Sequence, residues 1–177
     1  KEDGFEKIVS SRKPFGLPTN YSDFKPKETV NDNIKLIRFG DDGYVSENQI
    51  DINKDLINKF KVLVPKASPG GDTYPHQVIS KPIIAGPKTC CTETYILVGP
   101  FKNKQIAKNV AEYMKTNFFR FLMILIKNTQ DVPKKVYGFV PVQDFNQLWT
   151  DEKLYKKYKI SKKEIEFINT LIKPFNG

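Results

Sequence analysis

The stretch Asn103-Lys104-Gln105-Ile106-Ala107-Lys108-Asn109-Val110-Ala111-Glu112-Tyr113-Met114-Lys115-Thr116-Asn117-Phe118-Phe119-Arg120-Phe121-Leu122-Met123-Ile124-Leu125-Ile126 decides how the chain is built. Asn103 is a suitable N-cap, since its side-chain oxygen can accept a free amide of the first turn. Ile106, Val110, Met114, Phe118, Phe121, Leu122 and Leu125 then recur at helical spacing. Residues 118–126 are apolar nearly all round, with Arg120 the exception. A helix of that kind is buried between layers rather than laid on a surface. The spacing predicts one long central helix that the rest of the chain must cover. The apolar run 121–126 is far short of the roughly 20 residues of a membrane span, so no membrane partner is expected.

Short strand-like segments precede that helix. Ile34-Lys35-Leu36-Ile37-Arg38-Phe39, the turn Gly40-Asp41-Asp42-Gly43 and Tyr44-Val45-Ser46 read as a β-hairpin. Lys61-Val62-Leu63-Val64-Pro65, residues 77–85 and residues 94–98 read as further strands, and residues 51–60 as a short helix. Residues 5–10 form a short strand or the end of a helix. Residues 11–20 are a loop, because Pro14 and Pro18 forbid a helix there. After the central helix, Tyr137-Gly138-Phe139-Val140-Pro141-Val142 reads as a last strand. Thr150-Asp151-Glu152 opens a short helix with an acidic first turn. Ser161-Lys162-Lys163-Glu164 is a capping box for a final helix that Pro174 stops. Mixed strands around one helix give an α+β fold: a mixed sheet with a central buried helix over residues 1–148, and a helical tail over residues 149–177 packed on it.

The 177 residues are enough to bury a core, and 39% hydrophobic content excludes a disordered chain. Lys plus Arg number 29 against 20 Asp plus Glu, a net charge of +9. The excess is uneven. Residues 1–60 carry 10 basic and 11 acidic side chains, whereas residues 101–177 carry 15 against 7. A basic half beside a neutral half points to a polyanion, since lysines release counterions from phosphates. Only Arg12, Arg38 and Arg120 are arginines. Lysine is a point charge that grips a backbone rather than reading a base edge. The first residue is not Met, and the chain reads as a soluble piece of a longer protein.

Few residues suit bond-making chemistry. His76 is the only histidine; it reads as an exposed loop residue open to a ligand or phosphate contact. Cys90 and Cys91 lack the gap of a zinc or redox motif and read as buried thiols, with a reducing cytoplasm the expected compartment. Asp151-Glu152-Lys153 carries the acid-x-Lys half of a metal-dependent nuclease site. It opens a helix with no Pro-Asp strand upstream, so it reads as capping charge. No metal site is expected. Arg120 is expected to pair with a carboxylate on its own face. What remains are loops of the side chains that reach phosphates and base edges: Arg12, Lys13, Thr19 and Asn20; Lys66, Ser68, Thr73, Tyr74 and His76; Lys88 with Thr89; and Lys127, Asn128, Thr129, Gln130, Lys134, Lys135 and Tyr137.

Four stretches carry a resemblance. They are Ser11-Arg12-Lys13-Pro14-Phe15-Gly16-Leu17; Thr92-Glu93-Thr94-Tyr95 leading to Gly99-Pro100-Phe101; Lys115-Thr116-Asn117-Phe118-Phe119-Arg120-Phe121-Leu122; and Phe139-Val140-Pro141-Val142-Gln143-Asp144-Phe145 followed by Trp149-Thr150-Asp151-Glu152-Lys153-Leu154-Tyr155. In this order they resemble the C-terminal region of bacterial restriction-modification adenine methylases, of the type III and fused methylase-endonuclease kind. A long helix followed by Val-Pro-Val also resembles the close of their target-recognition domains.

The resemblance implies a parent that moves a methyl group from S-adenosylmethionine to the N6 of adenine in a short DNA site. Such enzymes flip the target base and need a separate surface to hold the duplex. The chain lacks the Asn/Asp-Pro-Pro-Tyr and Phe-x-Gly-x-Gly motifs of that chemistry, so it has no catalytic residue and no cofactor site to assign. The resemblance implies a DNA target-recognition domain, with double-stranded DNA and the parent's catalytic methyltransferase domain as partners. The DNA-contacting set expected is Arg12, Lys13, Thr19, Asn20, Lys66, Ser68, Tyr74, His76, Lys88, Lys127, Gln130, Lys134, Lys135 and Tyr137. Two rivals stand beside it: a protein-interaction module that docks the catalytic domain, and a Mg²⁺-dependent nuclease using Asp151 and Lys153.

Overall fold

Alternation along Phe60-Lys61-Val62-Leu63-Val64-Pro65 organises the molecule. In the computed structural model, which describes residues 3–69 and 74–176, this segment is strand β3 (Phe60–Pro65). It lies at the centre of an antiparallel sheet, between β4 (Ile83–Ala85) and β6 (Tyr95–Phe101). Side chains two apart share a face of a strand. Val62 and Val64, with Ile96 and Val98 of β6, enter one core, while Leu63 and Leu97 enter a second. The sheet is thus buried on both faces, which is why its strands lack polar alternation.

The first core is closed by helices. α1 (Lys104–Lys115) and α2 (Asn117–Ile124) supply Val110, Met114, Phe118 and Phe119. α3 (Asp151–Lys157) and α4 (Lys162–Leu171) add Leu154 and Ile168. The second core is closed by a mixed sheet, β2-β1-β5, made of β1 (Ile34–Ile37), β2 (Gly43–Val45) and β5 (Thr89–Cys91). Phe15, Leu17, Cys90 and Cys91 are buried there, and both thiols are free. The fold is α+β, with helices, central sheet and small sheet as three layers. No described helix is long and apolar enough to cross a membrane.

Four local expectations are corrected. The central helix is broken at Thr116, whose extended backbone (ψ 151°) ends α1 and starts α2. Its hydroxyl donates to Tyr113 O at 2.7 Å and accepts from Phe119 N at 3.1 Å, so one side chain serves both ends. Residues 51–60 form only the 3₁₀ turn Lys54–Leu56, entered through Asn53 at φ 55°. Residues 77–85 are strand only at Ile83–Ala85, because Val78 takes φ 76° and Pro82 has no amide to pair. Residues 137–142 make a single bridge, Gly4 with Pro141, rather than a strand. Phe5 N and Val142 N donate across it, but Pro141 cannot extend the ladder. The hairpin, the Asn103 cap and the Ser161–Glu164 capping box form as the sequence indicates.

Lys61 is the unexpected member of the second core. It is fully buried, and its ammonium donates to the carbonyls of Leu56 (2.9 Å), Lys59 (3.0 Å), Ile57 (3.1 Å) and Gly86 (3.3 Å). Burial lowers its pKa from the ordinary 10.5 to about 8. Between those values the folded chain has lost a proton that the unfolded chain still binds, so this group favours folding more as pH rises. Cys90, pushed up to about 12 by burial, and Cys91, pushed up likewise, act the other way above pH 9. Comparison with Lys61→Met isolates the lysine. In urea unfolding, the stability of the parent chain relative to Lys61→Met should increase from pH 7 to pH 9.5. A difference independent of pH would contradict a lowered Lys61 pKa in the core.

Candidate nucleic-acid interface

The side chain that builds the site is Arg120. Its guanidinium is fully buried and makes no ion pair among the described residues. The expected carboxylate partner is replaced by five other acceptors: Lys115 O (3.0 Å), Thr116 O (3.3 Å), Asn117 Oδ1 (2.8 Å), Gln77 O (3.2 Å) and Lys173 O (2.8 Å). It also stands 5.2 Å from the centre of the Phe175 ring. The break at Thr116 exposes the carbonyls that Nε needs. Nη1 joins the loop at Gln77 to the C-terminal segment at Lys173. These two segments are further tied by His76 N to Leu171 O (2.7 Å) and Lys173 N to His76 O (3.0 Å). Burial lowers the Arg120 pKa to about 10, so it stays charged at neutral pH.

Beside this knot lies a polar cleft of about 700 Å³. Ser68, Tyr74, His76, Lys127 and Gln130, drawn from two loops far apart in sequence, all line it. The loops are joined by Ser68 N and Oγ, which donate to Gln130 O at 3.1 and 3.0 Å. Tyr74 is 68% exposed, and its ring lies 4.4 Å from that of His76. His76 is half-buried rather than exposed. Val78, at the edge of the cleft, is a β-branched residue at φ 76°, a conformation that costs of order 1–3 kcal/mol. The Arg120 bond to the neighbouring Gln77 carbonyl holds that backbone in place. The described lining contains no carboxylate; its charged groups are Lys127 and Lys173.

The other expected residues are distributed around this cleft or away from it. Lys66 is held by its backbone outside the cleft lining: Lys66 N donates to Thr94 O, and Val132 N to Lys66 O. Lys134 and Lys135 follow Val132 in an exposed turn. Arg12 and Thr19 meet at Glu93, with Arg12 Nε at 2.8 Å and Thr19 N at 3.3 Å. Burial pushes the Glu93 pKa up, but the hydrogen bonds from Arg12 and Thr19 and the nearby positive charges outweigh it, so the pKa is lowered. The Arg12 side chain remains 72% exposed. Lys13 is half-buried and Asn20 exposed in the same loop.

Lys88 precedes β5, whereas Glu93 follows it. Tyr137 is not a surface residue: it is fully buried in the first core against Phe5 and Phe119, and burial raises its pKa. Its neighbours Lys134 and Lys135 give no sign of that, because a 3₁₀ turn points successive residues to different sides. Thr73 lies outside the described residues. Lys173 reaches the cleft only through the folding back of the tail, which no local pattern signals.

Asp151 has a different use from the one its triplet allows. Its carboxylate accepts Phe118 N at 2.8 Å and Asn117 N at 3.0 Å, so it caps α2. Lys153 Nζ donates to Leu148 O. Among the described residues no group of three or more His, Cys, Asp or Glu is placed to hold a metal ion. Comparison with protein-family models, curated proteins and solved structures finds no match. Asp151→Ala should lower the unfolding free energy by about 1–2 kcal/mol in urea titration. An unchanged midpoint would contradict the capping role.

Proposed function

We propose that this chain grips duplex DNA as the target-recognition part of an adenine-specific restriction-modification methyltransferase. The observation that carries the DNA reading is the convergence of Ser68, Tyr74, His76, Lys127 and Gln130 on one cleft whose described lining bears lysines and no acid. Hydroxyl, amide, aromatic and ammonium groups side by side suit a sugar-phosphate backbone and its base edges. The exposed Lys134 and Lys135, a few residues after Gln130, add charge for the DNA backbone. The methyltransferase assignment rests on the resemblance of the four sequence stretches.

Methyl transfer itself belongs to the catalytic domain of the parent. S-adenosylmethionine carries a cationic sulfonium and a ribose diol that call for carboxylates, and the described cleft offers cations instead. No step through the cofactor is assigned to these residues. The nuclease rival loses its support, since both oxygens of Asp151 are taken up by backbone amides.

In fluorescence anisotropy, a labelled duplex should bind with a dissociation constant of about 10⁻⁴ to 10⁻⁶ M at physiological salt, tightening steeply as salt falls. Lys134→Glu with Lys135→Glu should weaken binding to every sequence alike. Absence of binding at low salt, or affinity indifferent to salt, would overturn the proposal and favour a module that docks another protein domain.

A further inference from the structure

The planar fork of an arginine can give two parallel N–H bonds to the O6 and N7 of a guanine in the major groove. The chain has three arginines. Arg120 spends all three of its nitrogens inside the core. Arg38 is half-buried, lies 4.6 Å from the centre of the Phe24 ring and turns Nη1 back to Asp41 O at 3.1 Å. Arg12 is the arginine whose terminal nitrogens are left over. Its side chain is 72% exposed, and its one hydrogen bond among the described residues runs from Nε to Glu93 Oε2.

That bond is more than a surface ion pair. The Glu93 side chain is only 9% exposed, and its two oxygens are divided between partners. Oε1 accepts Thr19 N at 3.3 Å and Thr19 Oγ1 at 3.4 Å, which leaves Oε2 for Arg12. The backbone on either side of Arg12 is held as well. Ser10 N donates to Leu97 O at 2.8 Å, and its hydroxyl accepts Leu97 N at 3.0 Å. Phe15 and Leu17 are buried in the second core, and Leu17 O accepts Glu93 N at 2.9 Å. A side chain fixed at its backbone and at Nε costs less to order on binding, while Nη1 and Nη2 remain free to donate. Thr94, the residue after Glu93, accepts Lys66 N, and Ser68 two residues further on lines the polar cleft, so the backbone ties this anchor to the cleft.

We propose that Arg12 reads a guanine through Nη1 and Nη2, with Glu93 as its positioning residue. The inference rests on the duplex-DNA reading and adds to it a residue that sets sequence preference. A phosphate is served by positive charge alone, whereas the guanine edge needs the fork.

The test selects duplexes with the whole chain from a pool with a randomised centre. Each guanine common to the selected duplexes is then changed in turn to adenine or to 7-deazaguanine, which lacks N7, and binding is measured by fluorescence anisotropy. At one position the parent chain should favour guanine by about tenfold over either replacement. Arg12→Lys keeps the charge and changes an exposed side chain, so it should fold, bind, and lose most of that preference at that position only. Glu93→Gln leaves one carbonyl oxygen for two donors and should lower the same preference, read as a ratio of dissociation constants so that the altered net charge cancels. Selection without a common guanine, indifference to 7-deazaguanine, or a preference unchanged in Arg12→Lys overturns the inference and leaves the DNA reading standing. An unchanged preference in Glu93→Gln overturns the positioning role. Equal weakening of all duplexes in Arg12→Ala, restored in Arg12→Lys, assigns Arg12 to a phosphate and overturns the inference likewise. Failure of the parent chain to bind any duplex at low salt overturns the DNA reading and this inference with it.

Discussion

Arg120 is a fully buried cation with no ion pair among the described residues, and much of the molecule is arranged to satisfy it. Leaving an ionised group buried without partners would cost several kcal/mol. Five oxygen acceptors, from the broken helix, the loop at Gln77 and the tail at Lys173, offset that cost. The consequence is positional. Gln77 and Lys173 both line the polar cleft, so the same guanidinium that stabilises the core sets the width of the candidate interface. The strained backbone at Val78 persists because it sits next to a carbonyl that cannot leave.

Lys61 repeats the arrangement on the other side of the central sheet. It too is fully buried and held by carbonyls rather than by an acid. Two of the 29 basic side chains are therefore internal fixtures and contribute nothing to surface grip. The surface charge that remains is segregated. Lys127 and Lys173 line the polar cleft, whose described lining holds no carboxylate, whereas Arg12 is paired with Glu93.

How legible this was depended on the range of the interactions involved. Features fixed within four or five residues are legible directly: the Gly40–Gly43 turn, the Asn103 cap, the Ser161–Glu164 box and the strand composition of Lys61–Pro65. The break at Thr116 is hidden because helical spacing continues across it; a threonine flanked by Asn117 is a faint local hint. Residues 77–85 and 137–142 have strand composition, but Val78, Pro82 and Pro141 deny them a ladder. Of the candidate interface, two loops read as polar in the sequence, yet their meeting at Ser68 and Gln130 is a tertiary event. Lys173 and the capping role of Asp151 come from chain segments that return over long sequence separations, and no periodicity encodes such returns.

The central claim is that the geometry imposed by Arg120, and not the charge it carries, shapes the surface proposed to grip DNA. Arg120→Lys leaves the net charge at +9, but an ammonium has no planar fork to hold Gln77, Lys173 and Asn117 together. The decisive measurement is duplex binding by this variant, under conditions where its circular dichroism matches that of the parent chain. The account predicts weaker binding on every duplex at constant salt. Affinity equal to that of the parent chain would contradict it.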